Sequence, residues 1–119
     1  MSRRHLIRKF QVLTDSNSTT SPNSIATDVS GVDFITYQID CDLAVNSLLS
    51  VYFSNDDQFN SSNKTELDFG TPLTIIGASD TSYTIHVENL GFKWLQLSFT
   101  NNGGTGLLNA FVTGAGRGA

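Results

Sequence analysis

Two histidines, one cysteine and eleven carboxylates are the groups in this 119-residue chain with the means for acid–base, nucleophilic or metal chemistry. His5 sits in a basic N-terminal run. His86 has the outward parity of its segment, beside Thr84 and Glu88. Neither has a second His or Cys at metal-ligand spacing, so His86 reads as a surface residue rather than a ligand or general base. Cys41 shares parity with apolar residues and reads as a small buried hydrophobe. A nucleophilic thiol needs a neighbouring base or cation to lower its pKa, and none is close in sequence. No Gly-x-Ser-x-Gly elbow occurs. Gly103-Gly104-Thr105-Gly106 lies between two strands, not a strand and a helix, and so reads as a hairpin turn.

Asp56-Asp57-Gln58-Phe59-Asn60 is the best calcium candidate, because calcium takes several oxygens and acidic loops supply them. Its spacing fits no EF-hand, and a solvated loop is the simpler reading. The acids are scattered over loops and single out no pair for glycoside hydrolysis. Asn17-Ser18-Thr19, Asn60-Ser61-Ser62 and Asn63-Lys64-Thr65 match the glycosylation pattern by chance in a chain so rich in Asn and Ser. The expectation is a protein that is not an enzyme, with no cofactor and no metal.

The elements that must carry these residues are strands. No run of Ala, Leu, Glu and Lys shows a 3.6-residue period. Gly, Ser, Thr and Asn interrupt the chain at short intervals, as in a sandwich of antiparallel strands. Residues 6–14 predict an edge strand, 14–23 a polar loop, and 24–29 a short strand. In 33–41, Ile35, Tyr37, Ile39 and Cys41 share one face. In 48–54, Leu49, Val51 and Phe53 point inward, and Ser50, Tyr52 and Ser54 outward. Residues 55–64 predict a long polar loop, 65–69 and 73–76 short strands, and 82–88 a strand with Tyr83, Ile85 and Val87 on one face. Asn89-Leu90-Gly91 reads as a turn. The last two strands, 92–100 and 106–113, are apolar on both sides: Leu95, Leu97, Phe99, Leu108, Ala110 and Val112 on one, Phe92, Trp94, Leu107 and Phe111 on the other. A two-layer sandwich buries one side of each sheet. The second side is then covered by the arm or a loop of this chain, or by another chain. Residues 1–14 form an N-terminal arm and first edge strand, 15–113 the sandwich, and 114–119 a Gly-rich tail expected to be floppy alone.

Charge is unevenly placed. Arg3, Arg4, Arg8 and Lys9 give the arm +4, while three bases against eleven acids leave the rest at −8. An acidic body repels phosphate backbones and anionic membranes. The arm reads as a solvated tail or as a strap over an acidic neighbour; a nucleic-acid contact is not expected. No apolar run follows the N-terminal charges and no stretch is long enough to span a bilayer, so a soluble, non-secreted protein is expected. One cysteine allows no intrachain disulfide, which favours synthesis in a reducing compartment.

Ser50-Val51-Tyr52-Phe53-Ser54-Asn55-Asp56 resembles the strand-and-loop "V-x-x-S-N-D" of small tailed-bacteriophage virion structural proteins. The resemblance continues through Ile76-Gly77-Ala78-Ser79-Asp80 and His86 to Leu95, and ends with Leu97 to Ala110, including Gly103-Gly104-Thr105-Gly106. It departs at residues 55–64, where a Trp would be expected. The resemblance implies an all-β, antiparallel, jelly-roll-like sandwich that is part of a virion: a capsid decoration (cement) protein, a head-fibre base or a tail component. The implied partners are the major capsid protein or other virion proteins and further copies of this chain, with a trimer expected and no membrane. Such a protein is made in the host bacterial cytoplasm. The interface would use Arg3, Arg4, Arg8, Lys9, Phe92, Trp94, Leu107 and Phe111. The alternative is a host-glycan-binding or tail/fibre module, with Tyr52 and Trp94 stacking on sugars and Asp56, Asp57 and Asn60 bonding hydroxyls.

Overall fold

The structure, a computed structural model, describes residues 6–42, 44–60, 62–67, 73–77, 82–88 and 93–116, with side chains from residue 9 onward. Among the described residues, nine strands form two antiparallel sheets packed face to face. They are β1 (Leu6–Asn17), β2 (Thr27–Asp28), β3 (Phe34–Cys41), β4 (Asn46–Ser54), β5 (Thr65–Glu66), β6 (Leu73–Ile76), β7 (Ser82–Glu88), β8 (Trp94–Asn101) and β9 (Leu107–Ala115). The first sheet has the order β1-β9-β3-β7. The second has β2-β8-β4-β5, with β6 also paired to β4. The all-β sandwich expected from the alternation is therefore present.

The core lies between the sheets and follows period-2 parity. Ile35, Tyr37 and Ile39 of β3 are fully buried, as are Leu108, Ala110 and Val112 of β9; Leu95, Leu97 and Phe99 meet them from β8, and Leu49 and Val51 from β4. The Tyr37 phenol is buried beside the Thr27 hydroxyl, but their contact falls short of hydrogen-bond geometry, and neither has another partner among the described residues. Burial drives the Tyr37 pKa far above its ordinary value, so the phenol stays protonated.

Four expectations change. The polar run after residue 14 is not a free loop. Strand β1 continues through a bulge at Asp15, which has φ 40°, to Asn17, and a 3-10 turn follows over Ser18–Thr20. The Asn17 side chain caps that turn by accepting the Thr19 N–H at 3.0 Å. Ser18 is fully buried: its N–H donates to the Gly106 carbonyl at 2.8 Å, and its hydroxyl accepts the Gly106 N–H at 3.1 Å. Short polar side chains here satisfy backbone groups locally, which is why the run is polar yet packed.

Second, residues 103–106 are not a hairpin turn. They carry the chain from β8 in one sheet to β9 in the other. A Cβ on Gly104 would collide with the Ala44 carbonyl, and one on Gly106 would lie 2.8 Å from Cγ2 of Val45. The glycines serve close packing of this crossover against Asp42, Ala44, Val45 and Asn46, rather than a tight reversal.

Third, Gly114 and Ala115 are not tail. They extend β9 between β1 and β3, pairing with Ile7 and Leu6 on one side and Ile35 and Phe34 on the other. Fourth, Ser54 is buried, not outward, and its hydroxyl accepts the Asp56 N–H at 3.2 Å. Inward-facing Phe53 is only partly buried. The turn expected at 89–91 lies outside the described residues.

Candidate interaction surfaces

The eight residues expected to form an interface are not on one surface. Arg3, Arg4 and Phe92 lie outside the described residues, as does the side chain of Arg8. Trp94 is on the outer face of the second sheet, whereas Leu107, Phe111 and Lys9 belong to the first. The single spare apolar face expected from β8 and β9 is thus two faces pointing in opposite directions. Two consecutive strands shared parity in sequence, but the crossover at 103–106 sends them into different sheets.

The outer face of the first sheet is mostly polar and internally bonded. Gln38 donates to the Asp40 carboxylate at 3.2 Å, and Asp40 accepts the Ser82 hydroxyl. Gln11 donates to Asn109 at 2.7 Å, and Asn109 donates to Asp15 at 3.1 Å. Phe111 sits within this lattice, half-buried, with Nζ of Lys9 4.8 Å from its ring centre. That is cation–π range, so the base of the arm covers this aromatic from within the chain. Around the pair lies a dimple of about 110 Å³ lined by Lys9, Thr36, Gln38, Thr84, Phe111 and Thr113. Its size suits a single side chain rather than a drug-sized ligand. Next to it, His86 meets the Thr36 hydroxyl through Nδ1 at 3.0 Å and Glu88 through Nε2 at 2.9 Å, with the Phe34 ring 5.4 Å away. His86 is the exposed strand residue its parity indicated; Glu88 shares that parity on β7, whereas Thr36 and Phe34 come from β3 and were not legible before the pairing was known.

The outer face of the second sheet brings Tyr52 and Trp94 onto adjacent strands, one diagonal step apart, since Tyr52 pairs with Gln96 and Ser54 with Trp94. Both rings carry a lysine. Lys64 lies 4.3 Å from the Tyr52 ring centre and Lys93 5.7 Å from that of Trp94. The Trp94 indole donates to the Asp56 carbonyl at 3.0 Å, and the Lys93 N–H to Asn55 Oδ1 at 3.1 Å, which ties the 55–60 loop to β8. Asn60 is occupied by its own loop, accepting from the Ser62 N–H and hydroxyl at 2.9 and 2.6 Å. Farther along the same face, exposed Leu48 and Ile76 are also diagonal neighbours, an apolar pair that alternation alone did not mark.

No group of three or more metal-binding side chains occurs among the described residues. Asp56 and Asp57 are exposed. Cys41 is half-buried, and its thiol pKa is raised by burial and then by Asp40 and Asp42, the reverse of what activates a nucleophile. No helix among the described residues is long and apolar enough to cross a membrane.

No protein-family model matches the sequence, and a search of curated proteins finds no match. Solved structures share the fold. The SPBc2 prophage-derived protein YomS superposes with a TM-score of 0.60 at 13% identity, covering 95% of each chain. A chain in the structure of infectious bursal disease virus, Gx strain, gives a TM-score of 0.52 at 8% identity, over 98% of this chain and 33% of that one. A structure of Bacillus endospore appendages gives 0.46 at 12% identity, over 100% and 87%. At these identities the first two superpositions establish a common sandwich fold.

Proposed function

We propose that this chain is a non-catalytic bacteriophage virion structural protein, most specifically a capsid decoration (cement) subunit that binds the major capsid lattice. The observation that carries the reading is the end-to-end likeness to a prophage-derived protein over 95% of both chains. The winding supports it as well. Successive strands β1, β2, β3 and β4, then β7, β8 and β9, alternate between the two sheets, a winding in keeping with a jelly roll of the kind viral capsid domains use. The basic residues of the arm and the dimple at Lys9 and Phe111 offer a place for an acidic side chain of a neighbour.

The test is a protein inventory and image reconstruction of particles from cells that carry this gene in its native genome. Regular copies on the shell are expected; particles that lack the chain overturn the reading. Because Leu6 and Ile7 pair with Ala115 and Gly114, only residues 2–5 can be removed without cutting into β1. That deletion is expected to weaken attachment to undecorated capsids at least tenfold while the thermal midpoint is unchanged, read by co-sedimentation.

A second reading, a glycan-binding module of the virion, draws on the shared face of Tyr52 and Trp94. Stacking a sugar on Tyr52 requires displacing Lys64. A glycan array with and without calcium separates the readings: binding lost in a Trp94→Ala chain supports the module, and no binding removes it.

A further inference from the structure

A β-sheet edge presents unpaired N–H and C=O groups, and folded proteins blunt such edges with short strands, bulges, lysines or covering segments. The sandwich has several edges, and the described ones differ in how they are treated. Those of the second sheet are short: β2 and β5 have two residues each and β6 has four. At the β1 edge of the first sheet, the ladder with β9 breaks register three times. Asp15 has a positive φ, Lys9 projects from the strand, and the Val12 carbonyl is taken by the Ile25 N–H at 3.0 Å.

The opposite edge, β7, shows none of these devices among the described residues. Ser82–Glu88 runs in unbroken register against β3, from Asp40↔Ser82 to Phe34↔Glu88. Its sequence, Ser-Tyr-Thr-Ile-His-Val-Glu, has no Gly, no Pro and no Lys, and alternates polar residues with the apolar or aromatic Tyr83, Ile85 and Val87. Such segments pair readily with another strand. Among the described residues, no strand pairs with its far side. The strand is also held firmly in place: the Tyr83 hydroxyl crosses to the other sheet, donating to the Ile76 carbonyl at 2.7 Å and accepting the Ile76 N–H at 3.1 Å.

We propose that β7 is a self-association edge, pairing antiparallel with β7 of a second copy about a twofold axis at Ile85, so that two four-stranded sheets become one of eight. The evidence for a second copy as the occupant is the self-complementarity of the strand. In this register Ile85 faces its own copy, Tyr83 faces Val87, Thr84 faces His86, and Ser82 faces Glu88. All inward residues stay on the core side, because every pair has matching parity. Aromatic lies across from β-branched, a favourable cross-strand pair, and the two carboxylates sit at opposite ends rather than against each other. A twofold axis makes the contact closed, so it yields a dimer and no filament. The proposal is a twofold alternative to the trimer that the resemblance implies. The proposal does not depend on the virion reading, since it concerns the purified chain alone.

The experiment is sedimentation equilibrium of the full chain from micromolar to millimolar concentration, with Thr84→Lys and, as a control on the guarded edge, Thr14→Lys. A wild-type dimer is expected. Thr84→Lys, which puts a guarding lysine on the edge and sets the two new cations diagonally across the axis from each other, is expected to weaken it about tenfold or more, and Thr14→Lys to leave it unchanged. A nitroxide on a Thr84→Cys, Cys41→Ser chain keeps the question open to test should the lysine variant fail to fold; strong dipolar broadening between copies is expected. A wild-type monomer throughout the range, an oligomer that Thr84→Lys leaves intact, or labels too far apart to couple would overturn the proposal.

Discussion

The two edges of the first sheet, β1 and β7, have opposite characters although both lean on the same central pair, β9 and β3. The longer one, β1, is irregular: it bulges, carries a lysine and has a neighbouring segment hydrogen-bonded over its middle. The shorter one, β7, is regular and carries no Asp, Glu, Lys or Arg before its last residue, Glu88. Between these two edges, length therefore does not decide which is open to another chain. Regularity and the absence of guarding residues do, because a continuing sheet requires an unbroken ladder on the side it extends.

The contrast can be broken at its base. Ile39, fully buried on β3, supports both edges. Ile39→Ala is expected to cost about 2–5 kcal/mol in chemical denaturation, with both edges lost in a single transition. Separate transitions for β1 and β7 would mean that they do not share one core.

Two milder substitutions sharpen it, one per edge. Ser18→Ala removes the hydroxyl that accepts the Gly106 N–H beside the end of β1, and is expected to cost about 1–3 kcal/mol because a partly buried donor loses its partner. Tyr83→Phe removes the bridge from β7 to Ile76 and is expected to cost about 0.5–1.5 kcal/mol. Denaturation midpoints with site-resolved amide exchange should place the first loss on β1 and the second on β7.

The smallest effect comes from acid and lies on the other sheet. The Asp28 carboxyl pKa is lowered, first by the Ser30 N–H it accepts at 2.9 Å and then by the Ser30 hydroxyl, with Lys93 adding attraction against a small cost of burial. A depressed folded pKa stabilises the protein above the unfolded value of about 3.9, and that contribution is lost as pH falls through the folded one. Asp28→Asn should flatten the acid side of a melting-temperature profile while leaving the difference between β1 and β7 as it was.

Much of the sandwich was legible in the sequence because parity is a local signal. The inward sets of β3, β8 and β9 follow from alternation alone, and Val87 shows that the same rule held on β7. What parity does not carry is which sheet a strand joins. A Gly-rich segment reports that the chain bends, and nothing in Gly103-Gly104-Thr105-Gly106 distinguishes a hairpin from a crossover; the collision of a Gly104 Cβ with Ala44 becomes visible only in three dimensions. For that reason Trp94 and Phe111 looked like one patch and stand on opposite faces. The partnership of Lys9 with Phe111 joins two ends of the chain and was equally out of reach, although both residues had been singled out. The open character of β7 needed the pairing of every neighbouring strand before it could be read.

Backbone amide exchange measured at two protein concentrations tests the central contrast most directly. Amides of β7 are expected to exchange more slowly at the higher concentration, while those of β1 keep the same rates, because only β7 gains a strand partner. Rates on β7 that do not respond to concentration, or a slowing confined to β1, would contradict it.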